Sequence, residues 1–190
     1  MVYYNPTLNK NNMQERMYKL DKDIYAYLKE KDIEIDKVKI VIAGSTALAL
    51  NNIDVKKTED IDIIKISHNI PEDLLGRYNM NTRVSALENF FPYNYIDRIE
   101  KLNLCTNAIE YYIVSLEDII IAKIQANRGK DLEQLKTKEL INRIIWDKLK
   151  QSALEMKDSL FNDEQYKWFI VRYNDFVEVN GHEEVVIKNI

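Results

Sequence analysis

The chain has 190 residues, 46% of them hydrophobic and 31% charged, with a formal net charge of −4. That length supports one domain with a full core, or a core with a helical appendage, and the acidic balance argues against a general nucleic-acid coat, leaving a polynucleotide only a local basic patch. The single cysteine, Cys105, excludes an intrachain disulfide and a cysteine-based zinc site, and His68 and His182 have no ligand spacing.

The N-terminal MVYYNPTLNK lacks a basic segment followed by an apolar run. No stretch approaches the ~18 apolar residues of a membrane span. A soluble cytoplasmic protein, with no membrane association, is expected. Met13, Met17, Leu20, Ile24 and Leu28 recur at steps of three and four, which predicts an amphipathic helix over 10–31. Val38–Ala43 reads as a buried strand. Gly44-Ser45 then opens a short apolar helix over 45–50, with Ser45 as its N-cap. A second strand follows over 61–66, and Pro71-Glu72-Asp73 starts a short helix ending near Gly76. Thr82–Leu87 is expected as a strand, and Tyr95–Leu104 with Ile109–Val114 as a strand pair joined by 105–108. Phe90, Phe91, Tyr93 and Tyr95 read as the edge of the core, with a nucleobase-stacking platform as the alternative.

From Ser115 the pattern is helical. Ser115 and Asp118 fit a capping box. The helix they start runs to about Asn127, and Gly129 stops it. Asp131 reads as the cap of a helix over 132–143, with helices over 145–159 and 162–177 beyond. Tyr166, Phe169, Tyr173 and Phe176 form a stripe of helix–helix core. The fold class is therefore α/β (α+β), a small mixed sheet followed by a helical portion, divided at 1–115 and 116–190.

Asp60 and Asp62 flank Ile61 at the start of the second strand. Side chains alternate along a strand, so the two carboxylates point the same way. Their repulsion is relieved by a cation between them, and Mg²⁺ takes one or two carboxylates plus substrate phosphates. The Gly44-Ser45 turn offers amides and a hydroxyl to a phosphate, and Thr46 can share the hydroxyl duty. Lys123 sits among Ile120, Ile121, Ala122 and Ile124, where it either snorkels to solvent or reaches a triphosphate as a point charge. Arg128 and Lys130 are surface charges or a basic collar for a polyanion. A third carboxylate would complete the arrangement; Glu110 and Asp97 are candidates that spacing does not separate.

Gly44-Ser45 followed by Asp60-Ile61-Asp62 resembles the GS…DxD signature of the DNA polymerase β-like nucleotidyltransferase superfamily. The form AGSTALAL…TEDIDII, with SLEDIIIAKIQANRGKDLEQL after it, is similar to the AbiEii-type toxin branch and its small relatives. The resemblance spans about residues 38–66 and 115–135. It implies an active site of Gly44, Ser45, Asp60, Asp62, Lys123 and Asp131, with Asp131 as a further candidate for the third carboxylate. The turn would hold the phosphates of an NTP and the aspartates would bind Mg²⁺ or Mn²⁺. The implied reaction moves a nucleotidyl group to an acceptor, RNA, tRNA or protein, in a toxin–antitoxin setting with a cognate antitoxin. A catalytically silent nucleotide- or partner-binding module and a small-molecule adenylyltransferase remain alternatives on the same core.

Overall fold

The computed structural model describes residues 10–34, 36–53 and 58–185; the first nine residues of the N-terminal stretch read above lie outside them. The described chain forms two units. The first holds residues up to 86 together with 99–114, and the second holds 87–98 and everything from 115 onward.

The first unit is built on β1 (Val38–Ile42), β2 (Ile61–Ile66), β3 (Met80–Asn81), β4 (Glu100–Lys101) and β5 (Ile109–Ile113). They form a mixed sheet in the order β3-β2-β1-β5-β4. β1 is antiparallel to β2 and parallel to β5. The alternation expected of a half-covered sheet is explicit in the register. Ile40 and Ile42 pair with Tyr111 and Ile113 and are buried, whereas Lys39 pairs with Glu110 on the other face. Helix α1 (Lys10–Glu30) lies on the apolar face through Met13, Met17, Leu20 and Ile24, all fully buried. Each contributes about 2 kcal/mol by burial. The Tyr111 hydroxyl donates to the Met17 carbonyl at 2.8 Å. Asp21, also on α1, accepts the backbone N–H groups of Asn107, Ala108 and Ile109 at 2.9 Å each. A buried carboxylate thus satisfies the loop that would otherwise enter β5 with orphan donors.

β1 continues into α2 (Gly44–Leu50), and α3 (Glu72–Arg77) precedes β3. Between Val41 and Ile42 the β1–β2 register slips, so that Val41 faces Lys65, Ile42 faces Ile63, and Ile64 is the extra residue of a bulge. Asp62 follows Ile61 and precedes Ile63, both buried, so it projects from the face that also carries Lys39, Glu110 and Tyr112.

Residues 82–104 depart from the expected strands. Residues 83–90 form a 3₁₀ segment broken at Leu87, and 95–98 form another. None of residues 83–90 is buried, so no apolar face holds them extended. Local bonds take over, Ser85 N–H to the Thr82 carbonyl at 3.1 Å and Tyr95 N–H to the Pro92 carbonyl at 3.0 Å. The expected strand over 95–104 shrinks to Glu100–Lys101, antiparallel to β5.

The second unit contains α4 (Leu116–Ala126), α5 (Gly129–Leu135), α6 (Lys138–Ile141), α7 (Trp146–Ser159) and α8 (Asp163–Val179). The Ser115 cap forms as read: its hydroxyl accepts from Asp118 N–H at 3.3 Å and donates to the Asp118 carboxylate at 2.7 Å. That carboxylate, fully buried, is gripped by Arg98 through Nε at 3.0 Å and a terminal nitrogen at 2.9 Å, and by the Ser152 hydroxyl at 2.8 Å. Arg98 also reaches Glu155 at 2.8 Å; burial pulls its pKa down, but Asp118 and Glu155 together outweigh it and raise it. Asn127, left-handed at φ 49°, closes α4, and Gly129 is the first residue of α5 rather than a stop. The helix expected over 132–143 is two, because the Thr137 hydroxyl takes the Gln134 carbonyl at 2.9 Å. Tyr166, Phe169 and Tyr173 are buried as the stripe predicts, and Phe91 and Tyr95 pack ring to ring at 5.2 Å while Tyr93 is exposed. Among the described residues no helix is long and apolar enough to cross a membrane.

Candidate functional site

The first unit brings the small-residue bend and the acidic doublet together. Ala43 N–H donates to the Asp62 carbonyl at 2.9 Å, which joins the end of β1 to the start of β2. Gly44 follows at φ +64°, in the left-handed region. A Cβ on Gly44 would lie 2.5 Å from Asp62 Oδ2 and 3.4 Å from its Cγ. Glycine is required there twice, for its backbone angle and for the space that the carboxylate occupies. The other carboxylate oxygen accepts from Asn81 Nδ2 at 3.0 Å.

Asp60 is exposed and precedes the strand proper. Its carbonyl accepts the Thr46 hydroxyl at 2.8 Å and the Thr58 hydroxyl at 3.1 Å. Thr46 is fully buried, so its hydroxyl fixes the acidic turn and does not face a ligand. Arg16, on the buried side of α1, donates to the neighbouring Glu59 carbonyl at 3.1 Å. Ser45 is not the cap of α2. The helix begins at Gly44, and Ala43, extended at φ −128° and ψ −168°, is the capping residue with no side-chain bond. Ser45 lies in the first turn and is half-buried.

Lys123 and Asp131 lie in the second unit and meet there. Lys123 Nζ donates to Asp131 Oδ1 at 2.8 Å and to Gln134 Oε1 at 2.6 Å, and Arg128 Nε donates to Asp131 Oδ2 at 2.6 Å. The ammonium therefore does not snorkel: its side chain is 5% exposed and that of Asp131 1%. Asp131 is the third residue of α5 rather than its cap, and Gln134 serves Lys123 rather than a capping box. Burial raises the Asp131 pKa, but Lys123 and Arg128 outweigh it and hold the carboxyl below its ordinary range. Burial pulls the Lys123 pKa down, aided by Arg128 and Lys130, against the pull of Asp131. Arg128 is half exposed, so its guanidinium reaches solvent from a fixed base.

Of the candidates for a third carboxylate, Glu110 is engaged by Lys101 and accepts from the Tyr112 hydroxyl at 2.9 Å, and these bonds, Lys101 first, hold its pKa down. Asp97 is exposed on the 95–98 segment, and Asp131 has both oxygens in ion pairs. Among the described residues no group of three or more His, Cys, Asp or Glu side chains is poised for a metal ion. Asp62 and the exposed Asp60 carry hard oxygen donors, the type a divalent cation takes together with phosphate oxygens. Sequence reasoning missed Asn81 and Arg16. The 13, 16, 17, 20 spacing does put Arg16 on the buried stripe of α1, whereas a lone asparagine carries no motif.

A family model described as Nucleotidyltransferase of unknown function (DUF6036) matches residues 15–180. No curated protein and no solved structure matches the chain.

Proposed function

Because the chain belongs to this family of nucleotidyltransferases of unknown function, we propose that it transfers a nucleotidyl group from an NTP to an acceptor in a divalent-cation-dependent reaction. The observation that carries the reading is the approach of Asp62 Oδ2 to Gly44, which sets an acidic group in the space left open by a residue without a side chain. Asp60 and Asp62 would hold Mg²⁺ or Mn²⁺, which supplies charge neutralisation on the phosphates when bound. The amides of the Gly44-Ser45 turn, with the Ser45 hydroxyl, bind phosphate oxygens. The Thr46 hydroxyl and Arg16, through the carbonyls of Asp60 and Glu59, keep the acidic turn from drifting. The acceptor hydroxyl oxygen attacks the α-phosphorus and gives up its proton to solvent, the bond from that phosphorus to the bridging oxygen breaks, and pyrophosphate leaves. Catalysis is then positioning and electrostatics. Within its own unit, the buried Lys123–Asp131 pair sets Arg128 and Lys130 on a rigid base and supplies positive charge for anionic groups.

Along the AbiEii-type resemblance, we assign the acceptor to RNA, tRNA or protein and the setting to a toxin with a cognate antitoxin. The assay is incubation of the chain with each α-labelled NTP, Mg²⁺, total RNA and total protein. Label in one macromolecule, lost in Asp62→Ala, is the expected result. The second reading, a silent nucleotide-binding module, draws on the absence of a three-carboxylate cluster among the described residues. Nucleotide binding without label in any acceptor and without pyrophosphate release would select it.

A further inference from the structure

Asn81 pairs with Asp62 across β2 and β3 in parallel register, and its Nδ2 donates to Asp62 Oδ1 at 3.0 Å. The direction of the amide is fixed by its other end, because Asn81 Oδ1 accepts the Arg83 backbone N–H at 3.2 Å, which an NH₂ group cannot do. The donor end therefore faces the carboxylate. On the far side, Asp62 Oδ2 lies over Gly44. One oxygen is tethered and the other is directed at the bend.

The choice of an amide has a chemical consequence. A lysine or arginine at this position would orient the carboxylate but would neutralise the charge that attracts a cation. A serine hydroxyl is too short to span the same gap between neighbouring strands. A neutral amide restrains the rotamer and brings no opposing charge of its own. Without this bond, Asp62 is held less tightly, and a cation must bear part of the cost of ordering it.

We propose that Asn81 is a positioning residue that holds Asp62 ready for a divalent cation; the inference rests on the reading of Asp62 as a metal ligand. The test is titration of Mn²⁺ into the full chain with a non-hydrolysable α,β-methylene NTP, following free Mn²⁺ by electron paramagnetic resonance. Wild type is compared with Asn81→Ala and Asn81→Ser, and the thermal midpoint of each is recorded without metal. Both variants are expected to bind Mn²⁺ about tenfold more weakly, the scale of one lost hydrogen bond to a charged group, while a metal-free midpoint lower by a few degrees leaves both fully folded at the titration temperature. A residue with a merely structural role would move the midpoint and leave the affinity alone. Affinities within twofold of wild type in both variants would overturn the role of Asn81. Wild type that takes up no Mn²⁺ with nucleotide would instead overturn the metal reading of Asp62, and this inference with it.

Discussion

Replacing Gly44 by alanine tests the packing of the site on two counts. The backbone at φ +64° is left-handed, which costs a residue with a Cβ about 1–2 kcal/mol. The new methyl would also stand 2.5 Å from Asp62 Oδ2, so the oxygen must retreat by about 0.9 Å to reach the 3.4 Å where ordinary contact begins. The carboxylate can turn, but turning breaks its 3.0 Å bond from Asn81, a further loss of about 1.5 kcal/mol. Gly44→Ala is therefore expected to lose about 3 kcal/mol in urea unfolding followed by far-ultraviolet circular dichroism. Displacing a ligand by this distance should also cut label transfer from α-labelled NTP about a hundredfold. A variant that stays within 0.5 kcal/mol of wild type, by the ordinary spread of surface substitutions, and keeps its transferase rate would show that Gly44 and Asp62 are not in contact as described.

Gly76→Ala provides the opposite expectation. Gly76 lies in α3 with nothing within 4 Å of an added Cβ, so the variant should gain about 0.5–1 kcal/mol in the same unfolding assay. Asp131→Asn removes the charge that Lys123, 5% exposed, is paired with, and should cost about 3 kcal/mol, with much of it restored by the apolar double substitution Lys123→Met and Asp131→Leu. The sign of the accompanying pH effect is fixed by the direction of the Asp131 shift. Its folded pKa lies below the ordinary 3.8, so the stabilisation is fully present above that value and disappears as pH falls through the folded pKa. Urea midpoints should thus drop on acidification below about pH 4 in wild type and less steeply in Asp131→Asn; parallel curves would refute the pairing as a source of acid sensitivity.

The parts of this fold that follow local rules could be read from the chain. The three- and four-residue steps of Met13, Met17, Leu20 and Ile24 gave α1, the Ser115 hydroxyl gave the start of α4, and period two put Asp62 on the face opposite Ile61 and Ile63. The misread parts depend on non-local partners. Thr82–Leu87 has a strand-like composition, but none of residues 83–90 is buried, so the segment settles into local 3₁₀ bonds. Asp131 has the sequence context of a helix cap, yet an ammonium eight residues earlier on α4 claims its carboxylate. Asn81 is nineteen residues from Asp62, and only the pairing of β2 with β3 makes them neighbours. Serine favours a cap position, which points to Ser45, but the extended backbone at Ala43 makes that residue the cap and starts the helix at Gly44.

The central claim is that Asp62 and the Gly44 bend serve nucleotidyl transfer, and pyrophosphate release reads it most directly. With Mg²⁺, an NTP and total RNA and protein as acceptors, wild type should release pyrophosphate, chelation should stop the release, and Asp62→Asn should reduce it to background while its circular dichroism spectrum stays that of wild type. Release from folded Asp62→Asn at the wild-type rate, or no release by wild type with any of the NTPs, would contradict the account.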